Sequence, residues 1–253
     1  MEYTFKENYI TFEELTKRGL FNAFSLKAYD FRADEDQMPK QLEEVKRFVD
    51  DLGISPVDIF SMKQVHSDKL INIDNERNFK DFGSQKRFDE VDGLITSKKD
   101  IMLFSKYADC IPVIIYDEVR KVQANVHSGW RGTSKRIVLN AISRMEKEFN
   151  TKVEDLLVVQ GPAIGAEDFE VTEDVYEIFS REFSEYRDTI VEKDKTHWTI
   201  DTKEINKRLL LAEGVLEENI FSIDLSTYAD ERFHSYRRDK ANYGLMACFT
   251  MLL

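Results

Sequence analysis

The stretch from residue 101 to residue 132 constrains the fold more than any other part of the chain. It contains three short runs of β-branched and aromatic residues, Ile101 to Tyr107, Pro112 to Tyr116 and Val122 to His127. Runs of this length and composition, bounded by polar breaks, are typical of buried β-strands. The chain is therefore predicted to form an α/β fold with mixed sheets and packed helices.

Candidate metal ligands stand at the ends of these strands. Cys110 lies in the polar break after the first run, and His127 ends the third run just before a glycine-rich turn. His66 follows another predicted strand, Val57 to Val65. A thiolate and two imidazoles suit Zn²⁺ with one coordination position left open. Taken singly, however, a histidine or cysteine at a strand end is more often a structural residue than a ligand.

Length and charge bound the classes of function. With 253 residues the chain can bury a substantial core, and we predict one domain over residues 1–253. The formal charge of −12 argues against nucleic acid or an anionic membrane as a partner, but an anionic substrate fits a locally basic site. Two cysteines are too few for a disulfide framework, and the sequence shows no signal-peptide pattern or membrane-spanning run. We expect a soluble cytoplasmic protein, monomeric or homodimeric.

Hydrophobic periodicity places the other elements. Helices are predicted from Pro39 to Leu52, closed by Gly53, and from Gly132 or Thr133 onwards. Further predicted elements are short strands within residues 1–28, strands at Leu70–Ile73, Leu156–Gln160 and Tyr243–Leu252, and helices that begin at Thr172 and run from Thr202 to Ala212. The polar segment from Asp74 to Glu90 lacks periodicity, which predicts a mobile surface loop that could serve as a lid.

Six motifs occur in order along nearly the whole chain: KQVHSDKL (63–70), VDGLIT (91–96), ADCIPV (108–113), NVHSGWRGT (125–133), GPAIG (161–165) and SYRRDK (235–240). Together they resemble the laccase-domain family, also called polyphenol oxidase, purine nucleoside phosphorylase-like or peptidoglycan-editing-factor proteins. The resemblance implies one α/β domain and a metal held by His66, Cys110 and His127. It also implies phosphorolysis of purine nucleosides, with adenosine deamination and methylthioadenosine cleavage as companion activities.

The chain departs from the family pattern at two places. Residues 166–170 read Ala-Glu-Asp-Phe-Glu where many relatives carry a cysteine pair, and Ser226-Thr227 stands where relatives often have Cys-Thr. Composition also excludes the multicopper chemistry that the name laccase suggests, because four histidines cannot build a multicopper cluster. One copper ion remains compatible with two histidines and a cysteine, but zinc is the expected metal because its open position suits chemistry without redox.

Three arginines are candidate phosphate ligands, because a guanidinium can hold two phosphate oxygens at once. Arg131 follows His127 closely, and we assign it a catalytic role at the phosphate. Arg237 and Arg238 are candidate substrate-binding residues in the arginine-rich loop. The alternative for the loop pair is that they form ion pairs with local acids such as Asp239.

Three further side chains are candidates that also have a structural explanation. Asp109 is a candidate catalytic residue that would orient a metal ligand, or simply cap a turn. Glu170 is a weaker candidate acid or base, or a solvated surface residue. Trp130 could stack on a purine, or pack beneath the glycine-rich turn.

The sequence leaves three functions open. The first is a zinc-dependent purine nucleoside phosphorylase acting on adenosine, inosine and methylthioadenosine, with adenosine deaminase activity and with nucleosides and phosphate as its partners. The second is a cysteine hydrolase that uses Cys110 as nucleophile and His127 as base. The third is a non-catalytic zinc-binding protein of cell-wall quality control, although a structural zinc site usually has a fourth protein ligand.

Overall fold

Two large sheets stacked face to face form the centre of the computed structural model, which describes residues 1–32 and 38–253. In spatial order the first sheet contains β1 (Thr4–Phe5), β2 (Tyr9–Thr11), β3 (Leu20–Ser25), β17 (Met246–Leu252), β9 (Ile101–Tyr107), β4 (Asp58–Lys63), β7 (Lys86–Asp89) and β6 (Lys80–Asp81). The second contains β16 (Ile220–Ser222), β12 (Leu156–Gln160), β10 (Ile111–Asp117), β11 (Val122–Ser128), β8 (Gly93–Thr96) and β5 (Leu70–Asn72). A small third sheet contains β13 (Glu170–Val171), β15 (Trp198–Ile200) and β14 (Ile190–Glu192).

Helices cover the outer faces of both large sheets. The described helices are α1 (Glu13–Lys17), α2 (Met38–Leu52), α3 (Trp130–Ser134), α4 (Ile137–Phe149), α5 (Glu173–Glu182), α6 (Thr202–Glu213) and α7 (Tyr236–Asp239). The apolar side of α2 packs on the first sheet, and α4 and α6 pack on the second. Because the central strands are buried on both faces, their sequences read as continuous apolar runs. The predicted α/β class, with mixed sheets and packed helices, is confirmed.

Several local predictions are confirmed in detail. Gly53 follows α2 and Gly214 follows α6, each with a positive φ of 65° and 107° that a residue with a side chain rarely adopts. Thr172 stands at the N-cap position of α5. Within the described residues, every helix is too short or too polar to span a lipid bilayer.

The prediction of a mobile loop from Asp74 to Glu90 is wrong. This segment contributes β6 and β7 to the edge of the first sheet, and β7 pairs in parallel with β4. Within it Gln85, Arg87 and Phe88 are buried, at 1%, 4% and 2% exposure. The many charged residues around them obscure the alternating pattern that would predict this short hairpin, which turns at Gly83 with a φ of 82°.

The predicted helix after the glycine-rich turn is divided in two. It begins at Trp130 rather than at Gly132 or Thr133, and Arg136 interrupts it with a left-handed φ of 58° between α3 and α4. The Arg136 guanidinium donates to the carbonyl of Glu182 at 2.8 Å, a tertiary contact that the apolar stripe does not reveal. The last strand begins at Met246 rather than Tyr243, because residues 240–242 form a turn of 3₁₀-helix.

Candidate metal centre and substrate cavity

His66, Cys110 and His127 converge on one point. Their ligand atoms all lie within 4.8 Å of one another, and Cys110 Sγ is 3.7 Å from His66 Nε2. The antiparallel pairing of β10 with β11 sets Pro112 opposite His127, which brings the cysteine beside the histidine. His127 is buried while the other two are half-buried, so the cluster faces solvent on one side. The structure therefore brings together the three residues that the sequence proposed as ligands.

One buried carboxylate, Asp92, holds two of these residues in place. Its Oδ1 lies 2.9 Å from His127 Nδ1, so His127 presents Nε2 to the cluster. The same carboxylate accepts the backbone N–H of His66 at 3.0 Å and the N–H and hydroxyl of Ser67 at 2.6 and 2.7 Å. Asp92 is 0% exposed. A carboxylate that bonds a histidine from behind is the usual support of a metal-binding imidazole.

The two ligand turns use backbone conformations that need such support. His66 has a φ of 57° and Asp109, next to Cys110, a φ of 79°, both in the left-handed region. The Asp109 carboxylate accepts the hydroxyl of Thr227 at 2.7 Å and the backbone N–H of Arg237 at 2.7 Å. Asp109 thus fastens the cysteine turn to the arginine-rich loop, as the turn-capping alternative expects, and it also lines the cavity above the cluster, so its catalytic role stays a prediction.

Gly129 leaves the space in which the ligands meet. A Cβ atom at this position would stand 2.7 Å from His66 Cδ2 and 3.0 Å from Cys110 Sγ. Any other residue would push one of the two ligands aside. The close backbone approach, the thiolate and two imidazoles, and the Asp92 support all fit a tetrahedral zinc site with one open position.

The charges of the cluster are strongly coupled. Burial alone would raise the pKa of Cys110, but His127 and His66 lower it to about 6. Burial alone would lower the pKa of His127, but Cys110 and Asp92 raise it to about 9. Burial alone would raise the pKa of Asp92, but the hydrogen bonds from His127 and Ser67 lower it to about 2. Without metal, the site therefore holds a thiolate and an imidazolium at neutral pH.

This protonation state predicts proton release on metal binding. A metal takes the thiolate of Cys110 as it is but requires neutral His127, so about one proton should leave at pH 7.5. Below pH 6 the Cys110 thiol is itself protonated, so metal binding should release a second proton. Above pH 9 no proton should be released, because His127 is already neutral. Titration calorimetry with Zn²⁺ in buffers of different ionisation enthalpy measures the number. Release of no proton at pH 7.5 would contradict the thiolate–imidazolium assignment.

A cavity of about 670 Å³ opens above the cluster. Its lining includes Arg131 and Arg237 together with aromatic residues, namely Trp130, Phe169, Tyr236 and Tyr243. The Arg131 guanidinium stacks on the Trp130 ring at 4.2 Å, and that of Arg237 lies 5.9 Å from the Phe169 ring. The cavity thus combines two guanidinium groups with aromatic rings, a lining that suits an anion beside an aromatic base.

Two candidate residues lie away from this cavity. Arg238 donates to Asp239 at 2.8 Å and to the carbonyls of Phe233 and Thr227, and it is not among the described residues that line the cavity. The alternative of a local ion pair therefore describes Arg238 better than substrate binding. Glu170, on β13, pairs with Lys193 at 3.3 Å and is likewise not among the described lining residues. Its proposed acid or base role has no support in the geometry.

Sequence reasoning missed the support of the site. Asp92 stood in the motif VDGLIT, but an aspartate between two apolar residues gives no sign of its partner. Gln64 was also missed, and its side-chain amide pairs with the backbone of Lys106 at 2.6 and 2.9 Å, joining the ends of β4 and β9. A search for buried carboxylates near the ligand histidines would have required the fold.

Several proteins named as enzymes are similar to this chain in sequence. A purine nucleoside phosphorylase of Clostridium acetobutylicum is 32% identical over 192 residues, 76% of each chain. One from Staphylococcus saprophyticus is 30% identical over 235 residues, 90% of this chain and 84% of that protein. One from Bacteroides thetaiotaomicron is 38% identical over 156 residues, 61% of this chain and 58% of that protein, so the match spans less than two thirds of that relative.

Solved structures share the fold. The hypothetical protein YfiH of Bacillus licheniformis superposes with a TM-score of 0.87 at 22% identity, covering 99% of both chains. YlmD of Geobacillus stearothermophilus gives 0.87 at 21% identity, covering 99% of this chain and 98% of that one. Residues 20–253 match the family model described as multi-copper polyphenol oxidoreductase laccase. With the fold, the motifs and the relatives in agreement, the chain belongs to this laccase-domain family.

Proposed function

We propose that the protein is a metal-dependent purine nucleoside phosphorylase. The observation that carries this proposal is the position of the His66, Cys110 and His127 cluster in a cavity whose wall holds two arginines and several aromatic rings. Phosphorolysis needs a site for phosphate beside a site for a flat purine. The relatives named purine nucleoside phosphorylase give the same substrate class.

The side chains divide the task by their charge and shape. Arg131 and Arg237 hold the phosphate, and the Trp130 and Phe169 rings provide flat surfaces against which a purine packs. His66 Nε2, Cys110 Sγ and His127 Nε2 hold zinc, which supplies Lewis acidity for a substrate oxygen or ring atom. Copper is the alternative metal for these ligands.

The finer substrate range is part of the proposal. We infer that adenosine, inosine and methylthioadenosine are cleaved, because all three carry a purine ring bound to C1′ of a ribose ring, and that adenosine is also deaminated, as the family resemblance implies. The test is elemental analysis of the purified protein combined with a nucleoside panel assayed with and without phosphate. Zinc with phosphate-dependent release of free base is expected. If no product depends on phosphate, the phosphorylase assignment falls, and ammonia release without phosphate would leave a deaminase.

Arg131 provides a prediction within this scheme. Arg131→Lys replaces a guanidinium, which can bind two phosphate oxygens at once, by an ammonium group. The KM for phosphate should therefore rise about tenfold, while the KM for nucleoside changes little. Deamination, which uses no phosphate, should be nearly unaffected. Paired steady-state assays on adenosine, one for adenine and one for inosine, measure the two reactions. The exposed Arg181, which pairs with Glu182, gives the matched control Arg181→Lys.

An equal loss in both reactions would mean that Arg131 supports the turn at Gly129 rather than phosphate. A loss that Arg181→Lys reproduces would mean that the effect does not arise in the cavity, because both substitutions keep the charge and Arg181 lies on the exposed surface.

The lowered pKa of Cys110 favours a second candidate, the cysteine hydrolase. A thiolate beside an imidazolium is the resting state of such enzymes. Chelation separates the two candidates. A metal enzyme loses activity with a strong chelator and regains it with zinc, whereas a thiol nucleophile keeps its activity and forms an adduct on Cys110 that mass spectrometry detects.

The non-catalytic zinc protein is the least supported of the three. Within the described residues, the cluster contains three metal-ligating side chains and no fourth. A structural zinc site normally closes with a fourth protein ligand.

A further inference from the structure

A second cavity, of about 640 Å³, lies beside the metal cavity under the loop of residues 161–165. The end of β12 and the first turn of α6 line it, with Gln160 and Lys203 among the residues they contribute. Ile164 lines both cavities, so the two spaces share a wall. The volume is within the range of small-molecule sites, and the proposed phosphorylase reaction gives this space no role.

A donor and an acceptor stand side by side at this cavity. Lys203 Nζ donates to the carbonyl of Ile223 at 2.6 Å, which leaves two of its three N–H groups for other acceptors. Gln160 Nε2 donates to the Lys203 carbonyl at 3.2 Å, and this bond fixes the orientation of the amide. Gln160 is 2% exposed, and its Oε1 has no hydrogen-bond partner among the described residues. A buried acceptor of this kind is satisfied by a donor that enters the cavity, either a water or a hydroxyl of a bound molecule.

Most carboxylates around the cavity are already used. Asp201 caps α6 by accepting the Glu204 N–H at 2.9 Å, and Glu204 itself pairs with Arg208 at 2.8 Å. Asp168 accepts the Ser226 hydroxyl at 2.6 Å. Asp224, which is exposed, forms no hydrogen bond or ion pair with any other described residue. Its oxygens are therefore further acceptors at the edge of the cavity.

The balance of charges selects the kind of ligand. Burial lowers the pKa of Lys203 to about 8 against the opposing effect of Asp224 and Asp201, so the amine is still protonated at neutral pH and donates. The lining carries five carboxylates, Glu167 among them, against Lys203 and Lys207, so a simple anion would be repelled, and beside Gln160 a simple cation would meet the charge of Lys203. Hydroxyl groups avoid both conflicts, because each one accepts from an ammonium and donates to an amide or carboxylate oxygen.

We propose that this cavity binds the neighbouring hydroxyl groups of a sugar, either a free sugar or the ribose of a nucleoside. One hydroxyl accepts from Lys203 Nζ and donates to Gln160 Oε1, and the next donates to Asp224. Acidic side chains bind ribose hydroxyls in the same way in dinucleotide-binding folds. The site is separate from the metal cavity and does not depend on the proposed reaction.

Isoleucine methyl groups give each cavity its own reporter. Ile220 lines only the second cavity, Ile111 only the metal cavity, and Ile164 both. Methyl-labelled protein is titrated without phosphate against D-ribose, adenosine and 2′,3′-dideoxyadenosine. We expect D-ribose and adenosine to shift the Ile220 methyl signal, and the dideoxy compound, which lacks both hydroxyls, to leave it in place. A shift with adenosine but not with D-ribose identifies the nucleoside as the form that binds.

Lys203→Met should weaken D-ribose binding at least tenfold by the Ile220 signal. Lys207→Met is the matched control, because Lys207 lies one turn further along α6 at the same cavity but pairs with Glu217 at 3.0 Å. An Ile111 methyl signal at the same position in variant and parent, both without ligand, verifies that the variant is folded. If Lys203→Met fails to fold, Asp224→Asn at the exposed edge of the cavity takes its place.

The proposal is overturned if no ligand shifts Ile220, if the dideoxy compound shifts it as adenosine does, or if Lys203→Met and Asp224→Asn both bind D-ribose like the parent. Failure of phosphorolysis alone would leave these shifts unaffected, so the two proposals fail separately.

Discussion

Cys110→Ala is expected to remove most of the metal from the purified protein, reducing its content from about one ion per chain to about a tenth of that or less. Among the three side chains of the cluster the thiolate carries the negative charge, and without it a half-buried and a buried imidazole remain. The affinity for Zn²⁺ should fall by at least about 100-fold, more than for loss of a residue that merely supports a ligand. Elemental analysis after gel filtration and competition with a chromophoric chelator measure both quantities.

Cys248→Ala is the matched control. It removes the other cysteine, which is fully buried in β17 with Asn125 as its neighbour, and it should retain the full metal content. Stoichiometric zinc in Cys110→Ala would reject the assignment of the site. Loss of zinc from both variants would point to a general loss of structure, which a thermal melt of each protein would show.

Sequence reasoning located the candidate metal ligands because their positions follow from strand ends. Apolar runs mark where β9, β10 and β11 lie, and the polar residues just beyond each run must sit at an edge of the sheet. Cys110 and His127 are at such positions, and His66 follows the predicted strand from Val57 to Val65. Local patterns and motifs were thus enough to select the three residues of the cluster, and the structure shows that they meet.

The same reasoning failed where distant contacts decide the conformation. Arg136 takes a left-handed φ just before the apolar stripe of α4, and its guanidinium reaches the Glu182 carbonyl, 46 positions further along. Phe88 is buried in a segment whose charges made it look like a loop, because β4 supplies a partner strand. Neither contact has any signature within its own window of sequence.

The adjacent arginines Arg237 and Arg238 show the limit for side-chain roles. Both occur in one motif, yet Arg237 lines the cavity while Arg238 holds the loop through Asp239 and several carbonyls. The direction of each side chain depends on the short helix α7, which is fixed by the bond between the Arg237 N–H and Asp109. A dipeptide cannot indicate which of its two residues faces a ligand.

Asp92→Asn should lower metal affinity by about 10- to 100-fold without touching a ligand, since loss of a carboxylate behind a metal-binding imidazole usually costs that much. The amide has one acceptor where the carboxylate had two. If its NH₂ faces His127 Nδ1, the proton of that ring moves to Nε2, the nitrogen that must bind the metal. The turn at His66 also loses part of its support, because the backbone N–H groups of His66 and Ser67 share the same carboxylate.

Asp117→Asn distinguishes this effect from a general loss of stability. Asp117 is also 0% exposed and accepts the N–H groups of Val119 and Arg120, but it stands at the far end of the β10–β11 hairpin. Both variants should lower the free energy of unfolding by about 1–3 kcal/mol, because each disturbs a buried carboxylate that accepts several hydrogen bonds. Only Asp92→Asn should weaken zinc binding. It should also lower the pKa of His127, since the Asp92 charge is one of the groups that raise it, and so reduce the number of protons released at pH 7.5. Equal losses of metal affinity in the two variants, or unchanged proton release in Asp92→Asn, would show that Asp92 stabilises the fold without orienting the ligands.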